Sequence, residues 1–208
     1  MKSRSKTFIT QLLIPGVLLI VFSNCVNREN DLRAQETGSF TDPRDGKVYK
    51  TIKIGDQWMM AENFAFKPGR GDYWAYGNDS ANLAKYGYLY DWETAKMIAP
   101  RGWHLPSKKE WKIFRKSLGA GMDVWWTMNK VYQQMVLGGN SGFDALFGGV
   151  YIISERKFKG IGDEAYFWSS TETSDGPTNY VVDRKSGEAF LTDYADPRGG
   201  KSVRLFKD

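Results

Sequence analysis

An α+β domain, with two to three helices followed by a mixed, mainly antiparallel sheet meander in the C-terminal half, is the fold class this chain predicts. Three observations carry it. Apolar residues recur at helical spacing between Asp91 and Leu137, and from Phe143 onward the pattern changes to short β runs separated by Gly, Ser and Asp turns. A length of 208 residues, 41% hydrophobic and 15% aromatic, suits one well-packed domain and is short for two. Helices and strands segregated along the chain in this way predict α+β layers rather than alternating α/β units.

The chain opens with the parts of a secretory signal: the basic MKSRSK, an apolar run from Leu12 to Phe22 broken by Pro15-Gly16, and then Ser-Asn-Cys. The run falls short of the ~20 residues a spanning helix needs. Residues 1–24 are therefore expected as a lipoprotein signal peptide. Cys25, the single cysteine, follows directly, and VFSNC resembles the lipobox of bacterial lipoproteins in its looser, Bacteroidota-like form. That resemblance implies an acylated Cys25, a lipid bilayer as partner, and a membrane-anchored place in the bacterial cell envelope, at the outer membrane. Two or more acyl chains hold where one is marginal. Residues 25–40 are polar with no apolar period and read as the lipidated cysteine and a flexible tether, so the domain is expected over 41–208. Lys2, Arg4 and Lys6 stand within the signal; without them the 29 basic residues nearly balance the 24 acidic ones. A nucleic-acid surface needs clustered, unopposed cations, and none is expected here.

The domain should open with a hairpin. KVYKTIKI places Val48, Lys50, Ile52 and Ile54 on one side and Tyr49, Thr51 and Lys53 on the other, and Gly55-Asp56 turns the chain into QWMMAEN. Phe64 to Gly87 is expected as a long irregular loop rich in Gly, Asn and aromatic residues. A first helix is expected near Asp91 to Ile98 and a second near Lys108 to Leu118. The second carries a capping box, with Ser107 as N-cap and Glu110 three residues on, and turns Trp111, Phe114 and Leu118 to one face. A third should run from about Met128 to Leu137. ALFGGVYII, AYFWSST, TNYVVDRKSGEAFLTDY and KSVRLF then supply the strands.

Six blocks carry a family resemblance: IGDQWMMAEN, YGYLYDWETA, APRGWHLPSKKEW, GFDALFGGVY, YFWSSTE and the terminal SVRLFKD. In order and spacing they resemble the Fibrobacter succinogenes major paralogous domain family, from about Asp42 to Asp208. The resemblance implies a surface or secreted bacterial domain. Trp-x-Leu-Pro-Ser before a helix, a Trp-Ser-Ser strand and an Arg-Leu ending are also similar to the C-type lectin-like fold shared with formylglycine-generating enzymes. It implies structural roles for Trp103, His104, Pro106, Ser107, Glu110, Trp111, Trp168, Ser169 and Arg204. Where the family commonly ends Val-Arg-Cys-Val, this chain has Leu205 in place of the cysteine, which fits packing.

The inventory for catalysis is thin, so no catalytic residue, metal ligand or cofactor is assigned. His104, the only histidine, sits where an apolar residue packs back on the first turn of a helix, and Glu110 is taken up by the capping box. A zinc site wants several Cys or His ligands. The chemistry of the formylglycine-generating relatives depends on cysteine. Ser169 and Ser170 lack a Gly-x-Ser-x-Gly elbow, and neither a Glu-Pro-Asn nor a Trp-Asn-Asp calcium motif is present. Glu62, Asp91, Asp144, Glu172, Asp183 and Asp193 remain acids whose convergence spacing does not decide. The expectation is a non-enzymatic binding module for a glycan or surface protein, with Tyr73, Trp74, Tyr76 and Tyr86 as ligand-binding rings. The alternatives are that these rings cover the core edge, that a carboxylate pair acts on envelope polysaccharide, or that the protein is purely structural.

Overall fold

A computed structural model describes residues 36–121 and 125–208. The signal peptide, Cys25 and the tether up to residue 35 lie outside the described residues. The first strand, β1 (Thr37–Thr41), falls where a tether was expected. It pairs antiparallel with β2 (Val48–Ile54), from Thr37 opposite Ile52 to Thr41 opposite Val48. An edge strand of this kind is held by its backbone, so its side chains carry no apolar pattern; only Phe40 packs, 5.1 Å from the Trp103 ring. The hairpin then continues through β3 (Gln57–Met60).

The facing predicted for β2 holds in its second half alone. Ile52 and Ile54 are buried as expected, but Val48 is 56% exposed and Tyr49 is fully buried, 5.2 Å from Phe64. The strand lies between two cores and buries a different face at each end.

The expected irregular loop contains structure. Tyr73–Trp74 form β4, which pairs with β5 (Leu89–Tyr90), and between them come a 3-10 turn at Tyr76–Asn78 and α1 (Ser80–Tyr86). The Asp79 carboxylate caps α1 by accepting the Ala81 N–H at 2.8 Å. Among the described residues the α-helices are therefore four rather than two to three: α1 is joined by α2 (Trp92–Met97) capped by Asp91, α3 (Lys108–Ser117) with both halves of its capping box formed, and α4 (Trp125–Met135). None of the described helices is long and apolar enough to cross a membrane.

Two five-stranded sheets complete an α+β architecture. In the first, β6 (Trp103–His104) and β12 (Phe206–Lys207) extend the hairpin in the order β1-β2-β3-β12-β6, so β12 lies inside the sheet begun by the first described strand. The second is built from β7 (Gly148–Ile152), β8 (Lys157–Ile161), β9 (Glu164–Thr173), β10 (Gly176–Asp183) and β11 (Glu188–Thr192), in the order β11-β10-β9-β7-β8. It is a meander except where β7 lies parallel to β9.

Each core cluster is aromatic. Trp111, Phe114, Phe143, Phe167, Tyr180 and Phe206 fill one; Tyr49, Phe64, Tyr90, Trp92, Trp168, Val203 and Leu205 fill the other.

Candidate functional site

Adjacent residues of a strand point to opposite faces, and that rule divides the four predicted rings. Tyr73 turns toward the second core, edge-on to Tyr88 at 5.0 Å. Trp74 turns the other way and lies 4.5 Å from Tyr151 of β7. Tyr151 stands opposite Phe158 of β8 with ring centroids 4.8 Å apart, and Phe158 meets Tyr76 at 5.1 Å. Trp74, Tyr151, Phe158 and Tyr76 form one continuous row, every member half-buried.

Two glycines make room for it. A Cβ on Gly200 would stand 2.7 Å from the Trp74 ring, and one on Gly149 would stand 2.8 Å from the Tyr76 ring; Gly149 also has φ +69°. The rings therefore rest against bare backbone.

Tyr86 is not part of the row. Its carbonyl accepts the Asn63 amide at 2.8 Å and its ring lies 4.9 Å beneath the Lys85 ammonium. Of the four expected rings the fold brings together Trp74 and Tyr76. Tyr151 and Phe158 were missed, although Phe158 between Lys157 and Lys159 carries the alternation of a strand whose apolar residue points away from its lysines.

The residues expected to be structural are bonded into the fold. Trp103 and Pro106 are buried, and the Pro106 carbonyl accepts the Ser170 N–H at 2.9 Å. Trp168 donates its indole N–H to the Tyr90 carbonyl at 2.7 Å, and the Ser169 carbonyl accepts the Trp92 indole at 2.8 Å.

His104 does more than staple a helix. Its Nε2 meets Glu110 at 2.8 Å and its Nδ1 meets Asp208 at 2.7 Å, while the other oxygen of Glu110 accepts the Ser107 N–H and hydroxyl, each at 2.7 Å. The ring bolts the C-terminus to the start of α3. Burial opposes its charge, but the bonds from Asp208 and Glu110 outweigh burial and raise its pKa above 6.5. Burial likewise opposes the charge of Glu110, and the Ser107 and His104 bonds outweigh it and lower that pKa below 4.5. The histidine contribution is complete below pH 6.5 and is lost as pH rises through the raised value; the glutamate contribution is lost as pH falls through the lowered one. The melting temperature is expected to decline above pH 6.5 in the wild type and to flatten in His104→Gln. Parallel curves for the two proteins over that window would show that the bolt carries no stability.

Of the acids left open by spacing, Glu62 and Asp144 come to one place, the wall of a groove of about 600 Å³ that also includes Lys50, Lys85 and Leu137. Glu62 accepts the Lys50 N–H at 2.8 Å.

A family model described as Fibrobacter succinogenes major domain matches residues 52–207. No curated protein and no solved structure matches the chain.

Proposed function

The chain belongs to the Fibrobacter succinogenes major domain family over residues 52–207, and on that footing we propose that it is an envelope-anchored, non-enzymatic module binding a glycan or another surface ligand on the Trp74–Tyr151–Phe158–Tyr76 row. One observation carries the reading: four half-buried rings in contact at one surface, resting on Gly149 and Gly200. Contiguous apolar surface of this sort marks recognition sites, and rings with a polar tip are efficient anchors. The anchor in this reading is an acylated Cys25 in the lipobox-like VFSNC, and the looser, Bacteroidota-like form of that box supports an outer-membrane place. Its fold is C-type lectin-like, a reading supported by the pairing of the last strand, β12, with β3 of the first hairpin.

A second reading, in which the protein cuts envelope polysaccharide, is favoured by Glu62 and Asp144 sharing one groove, because glycoside hydrolysis needs two carboxylates flanking the scissile bond.

One experiment with two arms tests the proposal. Cells fed an alkyne fatty acid should yield a labelled, membrane-bound protein, and a protein that stays unlabelled and soluble removes the anchor. Residues 36–208, screened on a glycan array, should bind without releasing reducing ends, and Trp74→Ala should weaken binding about tenfold or more, a change of ~1.4 kcal/mol or more. The same variant should lose only about 1–2 kcal/mol of stability, because the ring is half-buried. Release of sugar that Asp144→Asn abolishes would favour the hydrolytic reading. Should Trp74→Ala unfold the domain, the rings are core covering and the binding site is withdrawn.

A further inference from the structure

The outer side of β1 is open. At one end of its ladder with β2 the Glu36 carbonyl accepts the Lys53 N–H at 2.9 Å, and at the other the Asp42 N–H donates to the Lys47 carbonyl at 2.8 Å. Hydrogen-bonded pairs alternate along an antiparallel ladder, so Gly38 and Phe40 also point their backbone groups at β2. Thr37, Ser39 and Thr41 therefore turn theirs away, and among the described residues no strand takes them up. The other three edges of the two five-stranded sheets are blunted. β8 carries Lys157 and Lys159, β6 is two residues long, and α4 packs on β11, where Asn129 donates to the Gly187 carbonyl at 3.0 Å. β1, TGSFT, is exposed at every residue but Phe40 and has no charge, no proline and no bulge. An edge without these devices is a template for another strand.

The residues of β1 select which strand. In antiparallel pairing about a two-fold axis at Ser39, Thr37 meets Thr41 of a second copy, Ser39 meets Ser39, and Thr41 meets Thr37. All three open residues are matched. The same register sets Phe40 of each copy opposite Gly38 of the other, large against small. On that face Gly38 is bare, and a cavity of about 200 Å³ opens beside it between Phe40, Thr51, Trp58 and Trp103. An axis at Gly38 or at Phe40 would set glycine on glycine or ring on ring and match only two of the open residues in each copy. At the ends of the seam Glu36 of one copy comes opposite Asp42 of the other, and each is already paired, with Lys53 at 2.9 Å and with Arg44 at 2.7 Å.

We infer that β1 is an interface between two copies of this chain, joined edge to edge about Ser39 so that two five-stranded sheets become one of ten strands. The backbone groups of Thr37, Ser39 and Thr41 supply the hydrogen bonds, and the Phe40–Gly38 match fixes the register. The inference does not depend on the ring row, which lies on other strands.

Residues 26–208, which lack Cys25, test this by sedimentation equilibrium and by cross-linking. The wild type should pass from monomer to dimer as its concentration rises. Ser39→Pro removes only an outward N–H, so its melting temperature should match the wild type while its dimer dissociation constant rises about tenfold or more. Across the axis the two Ser39 Cα atoms stand about 5.5 Å apart, within reach of a disulfide. Ser39→Cys should therefore form a covalent dimer under oxidised glutathione. Thr37→Cys alone and Thr41→Cys alone should not, because each thiol lies about 14 Å from its own copy across the seam, whereas the two variants mixed should cross-link. A chain that stays monomeric at millimolar concentration overturns the inference and leaves the edge to a strand of another protein. A dimer that Ser39→Pro leaves intact, or that Thr37→Cys alone cross-links as readily as Ser39→Cys, also overturns it, because the seam then lies elsewhere. Should Ser39→Pro unfold, the cysteine variants decide.

Discussion

Replacing Arg204 with Met is expected to remove about 4–6 kcal/mol of folding stability, enough to leave the domain largely unfolded under mild denaturant. The guanidinium is fully buried, and among the described residues no carboxylate pairs with it. It donates instead to four neutral acceptors: Asn63 Oδ1 at 2.7 Å and the carbonyls of Met60 at 3.2 Å, Phe143 at 2.9 Å and Asp144 at 3.0 Å. The Phe143 ring lies 4.5 Å from its carbon, adding a cation–π contact. Burial lowers its pKa to about 9, with the fields of Glu62 and Asp144 acting in the opposite direction. A methionine of similar length fills the space and leaves those acceptors without their donor, at roughly 1–3 kcal/mol each. Lysine is no substitute, because a single ammonium cannot reach acceptors spread around a planar fork.

The consequence extends to the candidate site. Asn63, held by Arg204, also donates to the carbonyl of Tyr86 at the end of α1 and to the Ser202 hydroxyl, which ties the ring-bearing segment to the stretch that leads into the last strand. Urea denaturation of Arg204→Met and Arg204→Lys measures the effect. A loss below about 2 kcal/mol in the Met variant would show that the carbonyls find other donors and that the hub reading is wrong.

Trp111→Ala should cost about 3–5 kcal/mol, the usual range for deleting a large buried ring. Trp111 is 0% exposed and is the point at which α3 meets both sheets. Its ring stacks on Tyr180 of β10 at 4.9 Å and 15°, and lies 5.2 Å from Phe206 of β12, 5.9 Å from Phe167 of β9 and 5.5 Å from Phe114 on its own helix. Its indole N–H donates to the Trp168 carbonyl at 3.3 Å, joining the two cores. Trp111→Phe keeps most of the ring and loses that bond, so a loss of about 1–2 kcal/mol is expected there. The contrast with Trp74 separates the two tryptophans: one is fully buried where two sheets meet, the other half-buried against Tyr151 and Gly200. Equal losses from Trp111→Ala and Trp74→Ala, measured by the same denaturation, would abolish that distinction.

Features whose partners lie close along the chain were legible in the sequence. Ser107 and Glu110 cap α3 as their spacing predicts, because every atom of a capping box belongs to one helical turn. The Gly55-Asp56 turn, the core face of α3 and the change to short strands after Phe143 were legible for the same reason. The cap of α1 was equally local: Asn78-Asp79-Ser80 before a run ending at Gly87 is a helix start and stop, hidden by the glycine and aromatic content around it.

Relations between distant segments were decided by the tertiary structure alone. A period of two determines which residues share a face of a strand and is silent on which strand lies beside it. The sequence thus separates Tyr73 from Trp74 in principle, yet only the packing of β4 near β7 and β8 brings Trp74 to Tyr151 and Tyr76 to Phe158. Asp208 is 104 residues from His104, and the pair exists because β12 and β6 are neighbours in one sheet. β1 left no apolar signal because its stabilisation is backbone hydrogen bonding to β2, which any sequence of small polar residues can supply. By itself the sequence determined the family, through the order of blocks along the whole domain, and the class of fold and the capping box of α3, which are set by interactions within a turn or a strand. Which rings meet was decided by strand order, and strand order is set by the long-range burial of two aromatic cores.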